Sequence, residues 1–318
     1  MVSLKKICAG WNHFYFDKTD ASILGLFRIV MGFLFLLNGL SLIEDFNYWY
    51  GVGNESLVPL ADSLTFYNDP RINLFRVLPA SNIAAGLILF FYIIFSLMLM
   101  LGYQTKLSTL LLFIFSVSLQ NRNYAILNSG DTVMTCLLFA MIWAPCGTCH
   151  SLDSYMADSK GKPLDKNIPY MGIRLIQIQF AIIYLSTALF KFKGIDWVDG
   201  TAVYYTSRLE NFQRFVVPVL FDHLFLIKIM TWFALATEFA MGTLIWVKEF
   251  RLWVLMAGLI LHIGIEITMS IGFFEWVMLA GYLVFLKSSD IRQLSIHYSK
   301  FRDKLFFESE SLNTAGVD

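Results

Sequence analysis

The chain has 318 residues, of which 57% are hydrophobic and 15% charged, with a mean hydropathy of +0.61 and no net charge. Soluble domains are typically about 45–50% apolar and about 25% charged, so the composition excludes an ordinary soluble enzyme and predicts an integral membrane protein. The zero net charge gives no electrostatic basis for binding nucleic acid. The first twenty residues contain no apolar run, so we expect no cleaved signal peptide and expect the first span to direct insertion.

Apolar segments recur along the chain, and each is judged against the ~20 residues needed to cross the hydrocarbon. The third, fourth and last are short, which fits tilted, re-entrant or shielded helices and leaves the count open by one or two. The sequence predicts an all-α, polytopic helical bundle of about eight transmembrane helices. The transmembrane domain is expected at 22–287, between a segment at 1–21 and a charged tail at 288–318. The predicted spans are roughly 22–43, 81–101, 107–120, 132–146, 171–190, 224–247, 252–270 and 273–287.

The distribution of lysine and arginine predicts the orientation. With the N-terminus in the cytoplasm, fourteen of the 24 basic residues lie in inner segments and seven in outer segments. Because cytoplasmic loops carry the excess of basic residues, we expect a multi-pass protein of the cell inner (plasma) membrane with a cytoplasmic N-terminus. Residues 147–170 should then face inward, and 44–80 and 191–223 outward.

Two lysines and a tryptophan follow the fifth predicted span. Lys191 and Lys193 come directly after the apolar run, and Trp197 lies a few residues further along. One interpretation is a lysine in an apolar pocket, where loss of hydration favours the neutral amine and lets it act as a base. The other is a pair of lysines whose charged ends reach the headgroups beside an interfacial tryptophan. Lys191 and Lys193 are therefore candidate catalytic residues, and Trp197 is a candidate binding residue.

Two arginines lie inside predicted spans. Arg28 is about two turns into the first span, and Arg174 is about one turn into the fifth, near Gln179. A charge inside the hydrocarbon is costly and normally faces the bundle interior or a water-filled cavity. Arg28, Arg174 and the nearby Gln179 are therefore candidate binding residues. Contact with lipid headgroups from the helix ends is the alternative.

Three ionisable residues lie in the sixth and seventh spans. Glu238 is in the middle of the sixth, and His262 and Glu266 are four residues apart in the seventh, which places them on one helix face. His262 and Glu266 could relay protons or form a structural hydrogen bond. A metal would need a further ligand that the sequence does not show, so no metal site is predicted. His262 is a candidate catalytic residue, and the two glutamates are candidate binding residues. All three should point into the bundle.

A polar hinge separates the third and fourth spans. It contains Asn121 and Arg122 at its start and Asp131 at its end. Irregular polar backbone at membrane depth is tolerated only inside protein or beside a cavity. The hinge is therefore either the wall of a substrate or cofactor pocket, with these three as binding residues, or a plain outer loop.

Two of the four cysteines occur in the sequence Cys146-Gly147-Thr148-Cys149-His150. This matches the pattern of c-type haem attachment, and its Cys-x-x-Cys core matches redox pairs. The predicted cytoplasmic location disfavours both haem attachment and stable disulfides, so a redox role, a metal role and incidental thiols remain open.

Several of these stretches resemble the HTTM (horizontally transferred transmembrane) family, which includes the membrane part of vitamin K-dependent γ-carboxylase. The resemblance covers about residues 15–290 and adds Trp49 and Tyr50 to the candidate binding residues. The stretches that carry it are 27–32 with 49–51, 122–131 with 151–153, 191–202, and His262 with 270–280.

The resemblance implies specific chemistry. In the carboxylase a lysine deprotonates vitamin K hydroquinone, and oxygen converts the product to a strong base that removes a γ-proton from glutamate. Carbon dioxide then adds, and the quinone leaves as its epoxide. By this similarity Lys191, with Lys193 as a competitor, is the basic lysine, and a reduced, vitamin K-like quinone is the implied cofactor.

Two departures from the carboxylase bear on its substrate. The histidine of the carboxylase hinge is Arg122 here, and the large extramembrane domain that binds protein substrate is absent from the printed sequence. The family also includes bacterial membrane proteins that help mature secreted peptide toxins, similar to the sporulation-delaying system, and their compact size fits this chain better. The expected function is carboxylase-like chemistry on a quinone or lipid cofactor, or maturation of a secreted peptide.

Two other functions remain as alternatives. The first is a non-catalytic membrane partner that chaperones or exports a secreted peptide toxin. The second is a transporter, which the lack of internal repeats disfavours. For the leading function we predict that Lys191, Arg28, Arg122 and His262 converge on one cavity that opens to the outer face. Burial beside Arg122 would then favour the neutral form of Lys191.

Overall fold

The computed structural model describes residues 4–53, 55–66, 71–215, 217 and 221–287. Within them, five helices are long and apolar enough to cross a membrane. Three shorter apolar helices correspond to the three spans that the sequence analysis found to be short. The all-α membrane class is confirmed, whereas the count of eight spans is not. The five long helices are α2 (Ser22–Ser41), α5 (Asn82–Leu101), α9 (Met171–Lys191), α12 (Leu224–Gly242) and α13 (Lys248–Thr268). The three shorter helices are α6 (Thr105–Gln120), α7 (Ser129–Ile142) and α14 (Phe274–Gly281). Helix α14 continues into a 3₁₀ turn at Tyr282–Phe285.

Short elements connect these helices. A two-stranded antiparallel sheet pairs β1 (Lys18–Asp20) with β2 (Asn167–Pro169). Further 3₁₀ turns lie at Leu74–Arg76, Glu210–Phe212 and Leu244–Trp246. The short helices are α1 (Leu4–Phe16), α3 (Phe46–Tyr50), α4 (Leu60–Phe66), α8 (Leu152–Ser159), α10 (Ile195–Val198) and α11 (Ala202–Thr206). The predicted tail at 288–318 lies outside the described residues.

The start of α7 shows how local sequence sets a helix boundary. Asn128 has extended backbone, and its side-chain oxygen accepts a hydrogen bond from the backbone N–H of Asp131 at 3.0 Å. An asparagine at this position satisfies one of the N–H groups that the first helical turn leaves unpaired. The cap therefore fixes Asp131 in the first turn of α7.

The helices pack in two groups. In the first, α2 lies against α5, α5 against α6, and α6 against α7; in the second, α12 packs on α9 and α13. The α2–α5 contact is close because a Cβ built on Gly32 would lie 2.5 Å from the backbone nitrogen of Met100. α14 contacts α2 and α7 on one side and α13 on the other, so it joins the two groups.

Candidate functional site

Six polar side chains lie together in the second group of helices, and we call them the polar column. They come from α9, α12, α13, α14 and the 3₁₀ turn that follows α14. The members are Tyr184, Lys191, Glu238, His262, Glu275 and Tyr282.

One end of the polar column is an ion pair. The ammonium of Lys191 donates to Oε1 of Glu238, and the two side chains are 26% and 13% exposed. The ammonium also lies 4.3 Å from the ring centre of Trp197, which follows α9 in the short helix α10. Oε2 of Glu238 is buried and has no hydrogen-bond partner within the described part of the chain. Lys191 and Trp197, which are close in sequence, therefore meet Glu238 from another predicted span at this end.

The other end is a chain of hydrogen bonds around His262. Its Nε2 lies 2.5 Å from the hydroxyl of Tyr184, and its Nδ1 is hydrogen-bonded to Oε2 of Glu275. The Tyr184 hydroxyl also lies 3.0 Å from that of Tyr282. His262 and Glu275 have side chains only 3% and 1% exposed. With a neutral imidazole, the consistent assignment has Nδ1–H donating to the carboxylate and Nε2 accepting from Tyr184.

A sharp turn between α13 and α14 brings Glu275 beside His262. α13 ends at Thr268, and Gly272 adopts a φ of +60°, a left-handed conformation that glycine takes without steric cost. The chain then reverses into α14, whose first turn carries Glu275. The second carboxylate oxygen, Oε1, has no hydrogen-bond partner among the residues described.

Helix α9 carries a residue from each end of the polar column. Tyr184 and Lys191 lie seven residues apart on α9, which places them on one face of the helix two turns apart. The polar column therefore extends along α9 from the Lys191 pair to the His262 chain.

A cavity of about 300 Å³ lies at the hinge between α6 and α7, and we call it the hinge cavity. Asp131 lies in its wall, where its carboxylate accepts from the amide of Asn38 at 3.1 Å and from that of Asn128 at 2.8 Å. The hydroxyl of Tyr92 donates to Asn38 at 2.8 Å. The candidate residues Trp49 and Tyr50 also line this cavity. The remaining lining residues are Phe35, Ser41, Leu42, Ser116, Leu119, Gln120, Asn123, Ile126, Leu127, Met134, Gly272 and Phe273.

Arg28 does not join the polar column, so its predicted convergence with Lys191 and His262 is wrong. Its guanidinium is fully buried and donates to four backbone carbonyls. Two of these, of Leu99 and Met100, are at the C-terminal end of α5, where the last helical turn leaves carbonyls unpaired. The other two belong to Cys146 and His150. Arg28 therefore joins α5 to the 146–150 loop.

Arg122 also lies apart from Lys191, which corrects the predicted pairing of the two cations. Its Nη2 donates to the carbonyls of Gly51 and Val58, the latter at 2.9 Å, and its guanidinium lies 5.8 Å from the ring centre of Phe75. Arg122 follows the C-terminal end of α6, whereas Arg28 contacts the segment just before α6 begins, so the two arginines lie at opposite ends of that helix. Burial lowers the pKa of Arg122 from its ordinary value.

His262 and Glu266 share a helix face but have different partners, so their predicted pairing is wrong. Glu266 accepts from Arg214 at 2.7 Å and its side chain is 16% exposed. Spacing along one helix cannot reveal a partner from another element, and here Glu275 provides the carboxylate for His262.

The remaining candidates lie outside both sites. Arg174 donates to the carbonyl of Phe14 and to Gln177. Asn121 donates to the carbonyl of Ile72 at 3.0 Å. Lys193 is exposed, with its ammonium 5.6 Å from the ring centre of Phe190, and Gln179 is half-buried on α9.

Cys146 and Cys149 are buried, and the structure describes both thiols as free. Burial raises the pKa of Cys146 to about 12 and also raises that of Cys149. Because the thiolate is the reactive and metal-binding form, this environment disfavours redox and metal chemistry. The backbone of the loop instead provides two of the acceptors for Arg28.

Sequence reasoning missed three members of the polar column. Glu275 is a carboxylate within an apolar stretch, and such a residue indicates a functional position. The sequence analysis used the stretch around it only for the family resemblance. Tyr184 and Tyr282 gave no such signal because tyrosine is common in membrane helices. The same holds for Tyr92 in the hinge cavity, whereas Asn38, a polar amide within an apolar span, was an available signal that the sequence analysis did not use.

Comparisons with known proteins agree with this architecture. The HTTM domain family model matches residues 16–289. Over 272 residues the chain is 24% identical to the sporulation-delaying protein SdpB of Bacillus subtilis (strain 168), covering 82% of this chain and 80% of that protein. It is 22% identical over 235 residues to the uncharacterized protein YitO of the same organism, covering 70% and 74% of the two chains. No solved structure matches significantly. The chain belongs to the HTTM domain family.

Proposed function

We propose that this HTTM-family membrane protein performs proton-transfer chemistry in the maturation of a secreted peptide, and that the polar column carries the proton. The observation that supports this most is the coexistence of the Lys191–Glu238 pair with the His262 chain inside an apolar bundle. Intramembrane ionisable groups are costly and therefore mark functional positions.

The incomplete hydrogen bonding of the polar column favours a functional role over a purely structural one. Glu238 and Glu275 each leave one buried carboxylate oxygen without a partner among the described residues. A buried polar group without a hydrogen bond costs about 1–3 kcal/mol, and more when it is charged. A network built only for stability would be expected to satisfy these oxygens or to replace them with apolar groups.

Five members of the polar column have a distinct role in the proposal. Lys191 is the base, and it becomes available once its proton has moved to Glu238, which leaves two neutral groups that an apolar environment favours. His262 can accept a proton from Tyr184 at Nε2 and release one from Nδ1 to Glu275. These groups can then shift a proton between Tyr184, His262 and Glu275, in the same helix bundle as the Lys191 end.

In this proposal, the reduced quinone implied by the family resemblance would bind at the Lys191 end. The unpartnered Oε2 of Glu238 could accept a hydrogen bond from a quinol hydroxyl, and the indole of Trp197 offers an apolar face beside the ammonium of Lys191. When bound, such a cofactor would supply an oxidisable hydroxyl-bearing ring. The protein residues would hold that ring, exclude water and take up its hydroxyl proton at Lys191.

We further propose that the protein lies in the plasma membrane with a cytoplasmic N-terminus, so that the Lys191 end of the polar column faces outward. The excess of basic residues in the inner segments supports this orientation. A secreted peptide would then meet the protein on the side where Lys191 lies.

A non-catalytic partner in peptide export or chaperoning is the second candidate function. It is favoured by the similarity to a sporulation-delaying protein over 80% of that protein's length. In this case the polar column would only stabilise the bundle, and conservative changes at Glu238 would leave the secreted peptide unaltered.

Mass spectrometry of secreted peptides separates these functions. Cells that lack the gene are compared with cells expressing the wild type, Glu238→Gln or the exposed control Glu249→Gln. The proposal expects a peptide whose mature form is absent without the gene and with Glu238→Gln, although the variant accumulates normally, and present with Glu249→Gln. Normal maturation by Glu238→Gln would contradict proton transfer through this carboxylate, and a loss seen only on gene deletion would favour the non-catalytic partner.

A further inference from the structure

We propose that the hinge cavity is a binding site for an organic ammonium group. None of the residues that line it belongs to the polar column, so this proposal and the proposed function can fail independently. The cavity, at about 300 Å³, matches the lower end of the range of small-molecule sites. That size suits a small amine or the ammonium head of a larger ligand.

The charge of the cavity favours a cation. Asp131 is a carboxylate in a wall that contains no lysine, arginine or histidine. No ion pair to Asp131 occurs among residues 4–53, 55–66, 71–215, 217 and 221–287. Arg122, the basic residue of the hinge, instead directs Nη2 to the carbonyls of Gly51 and Val58. A bound ammonium would supply the counter-charge that a half-buried carboxylate lacks.

The carboxylate of Asp131 has acceptor capacity left. Its two oxygens accept one amide hydrogen bond each, from Asn38 and Asn128. A carboxylate offers about four lone-pair sites, so about two remain for a ligand. The amides also fix the orientation of the carboxylate before a ligand arrives.

Aromatic rings share the cavity wall with this carboxylate. Phe35, Trp49, Tyr50, Tyr92 and Phe273 all line the hinge cavity. Aromatic faces attract ammonium groups, and cages of such rings are a recurring solution for recognising quaternary ammonium ions. A carboxylate combined with several rings therefore favours an ammonium ligand over an anion or a neutral molecule.

A hydrogen bond and a ring contact order part of the cavity wall. The amide of Asn123 donates to the backbone carbonyl of Trp49 at 2.6 Å. The ring of Tyr50 stacks on Phe46 at 5.2 Å between centres. Because the wall is already ordered, little conformational entropy would be lost on binding.

The test compares a cation with an uncharged molecule of the same shape. Full-length protein in detergent is titrated with choline and with 3,3-dimethylbutan-1-ol, and binding is measured by calorimetry. We expect choline to bind at least about tenfold more tightly, because the Asp131 carboxylate and the aromatic faces both attract its positive charge, which the alcohol lacks; a tenfold ratio corresponds to ~1.4 kcal/mol. Equal binding of the two probes, or no binding of choline, would overturn the proposal.

Variants assign the preference to the cavity. Asp131→Asn should reduce the choline preference at least about tenfold, because it removes the charge and keeps the shape. The exposed carboxylate variant Asp199→Asn is the matched control and should bind as the wild type does. A choline preference retained in Asp131→Asn would place the site elsewhere and refute the proposal. If Asp131→Asn fails to fold, Trp49→Ala gives the same test on the aromatic wall.

The ammonium group could belong to a free amine or to a lipid headgroup. Choline binding is therefore repeated in nanodiscs made with phosphatidylglycerol alone or with added phosphatidylethanolamine. Loss of choline binding on adding phosphatidylethanolamine would identify the headgroup as the ligand. Unchanged binding would identify a soluble amine.

Discussion

Replacing Arg28 by methionine should destabilise the protein severely. The side chain is fully buried, and its guanidinium donates to the carbonyls of Cys146 at 3.1 Å, Leu99 at 2.5 Å and Met100 at 2.7 Å, as well as to His150. Arg28→Met removes every donor. The carbonyl of Leu99 still accepts from the backbone N–H of Gly102 at 3.1 Å, so three acceptors, those of Met100, Cys146 and His150, lose the partner that Arg28 provides.

The expected loss follows from these three carbonyls. Each unsatisfied buried acceptor costs about 1–3 kcal/mol, so even the lower limit gives about 3 kcal/mol. Total folding free energies are about 5–15 kcal/mol, so little folded protein should accumulate. Arg28→Lys keeps the charge but offers at most three donors from a single nitrogen, so its loss should be smaller.

The free energy of unfolding measures this prediction. It is obtained by denaturant titration of protein in detergent micelles, with Lys106→Met as the control for removing an exposed cation near the same end of the bundle. The variants should rank from wild type and Lys106→Met through Arg28→Lys to Arg28→Met. An unfolding free energy of Arg28→Met within about 0.5 kcal/mol of the wild type would refute the reasoning, because such small changes are typical of surface positions.

Three further predictions concern packing, thiol chemistry and orientation. Gly32→Val should sharply reduce the yield of folded protein because a Cβ at this position would meet the backbone of α5, whereas Gly86→Val should be tolerated because nothing lies within 4 Å of a Cβ built there. Size-exclusion chromatography in detergent compares the two yields. Equal yields would count against the close α2–α5 contact. Alkylation of Cys146, measured by peptide mapping, should be negligible near neutral pH and should rise only as the pH approaches about 12. Burial raises the pKa of this thiol, and only the thiolate reacts. Rapid alkylation at neutral pH would mean that the thiol is accessible. An impermeant thiol reagent applied to intact cells should label Asp62→Cys and not Lys160→Cys, and the reverse pattern would invert the proposed orientation.

Apolar patterning predicted the helices well because burial in lipid demands long apolar runs. The predicted spans at 22–43 and 81–101 correspond to Ser22–Ser41 and Asn82–Leu101. The prediction was less accurate where an apolar run continues past the end of a helix. The span at 224–247 includes a 3₁₀ turn at Leu244–Trp246, because apolar residues also occupy turns that are shielded by neighbouring helices.

The same reasoning identified individual site residues better than their partners. Lys191, Glu238 and His262 were found because an ionisable residue in an apolar run is a strong signal. Their partners depend on tertiary structure: the partner of His262 is Glu275, which a turn brings into place, and not Glu266 on the same helix. Arg28 was misplaced for a related reason, since backbone carbonyls accept its hydrogen bonds and these carry no sequence signature.

The central claim is that Lys191 acts as a base, and a matched pair of substitutions tests it most directly. Lys191→Arg keeps a cation that can still pair with Glu238, but a guanidinium does not deprotonate in proteins. Lys193→Arg makes the same change at the exposed lysine two residues away. The two variants are expressed in cells that lack the native gene, protein in the membrane is quantified, and secreted peptides are compared by mass spectrometry. The account predicts that Lys191→Arg accumulates normally and yields no mature peptide, while Lys193→Arg yields wild-type amounts. Wild-type maturation by Lys191→Arg would contradict the account, and loss in Lys193→Arg alone would assign the base to Lys193.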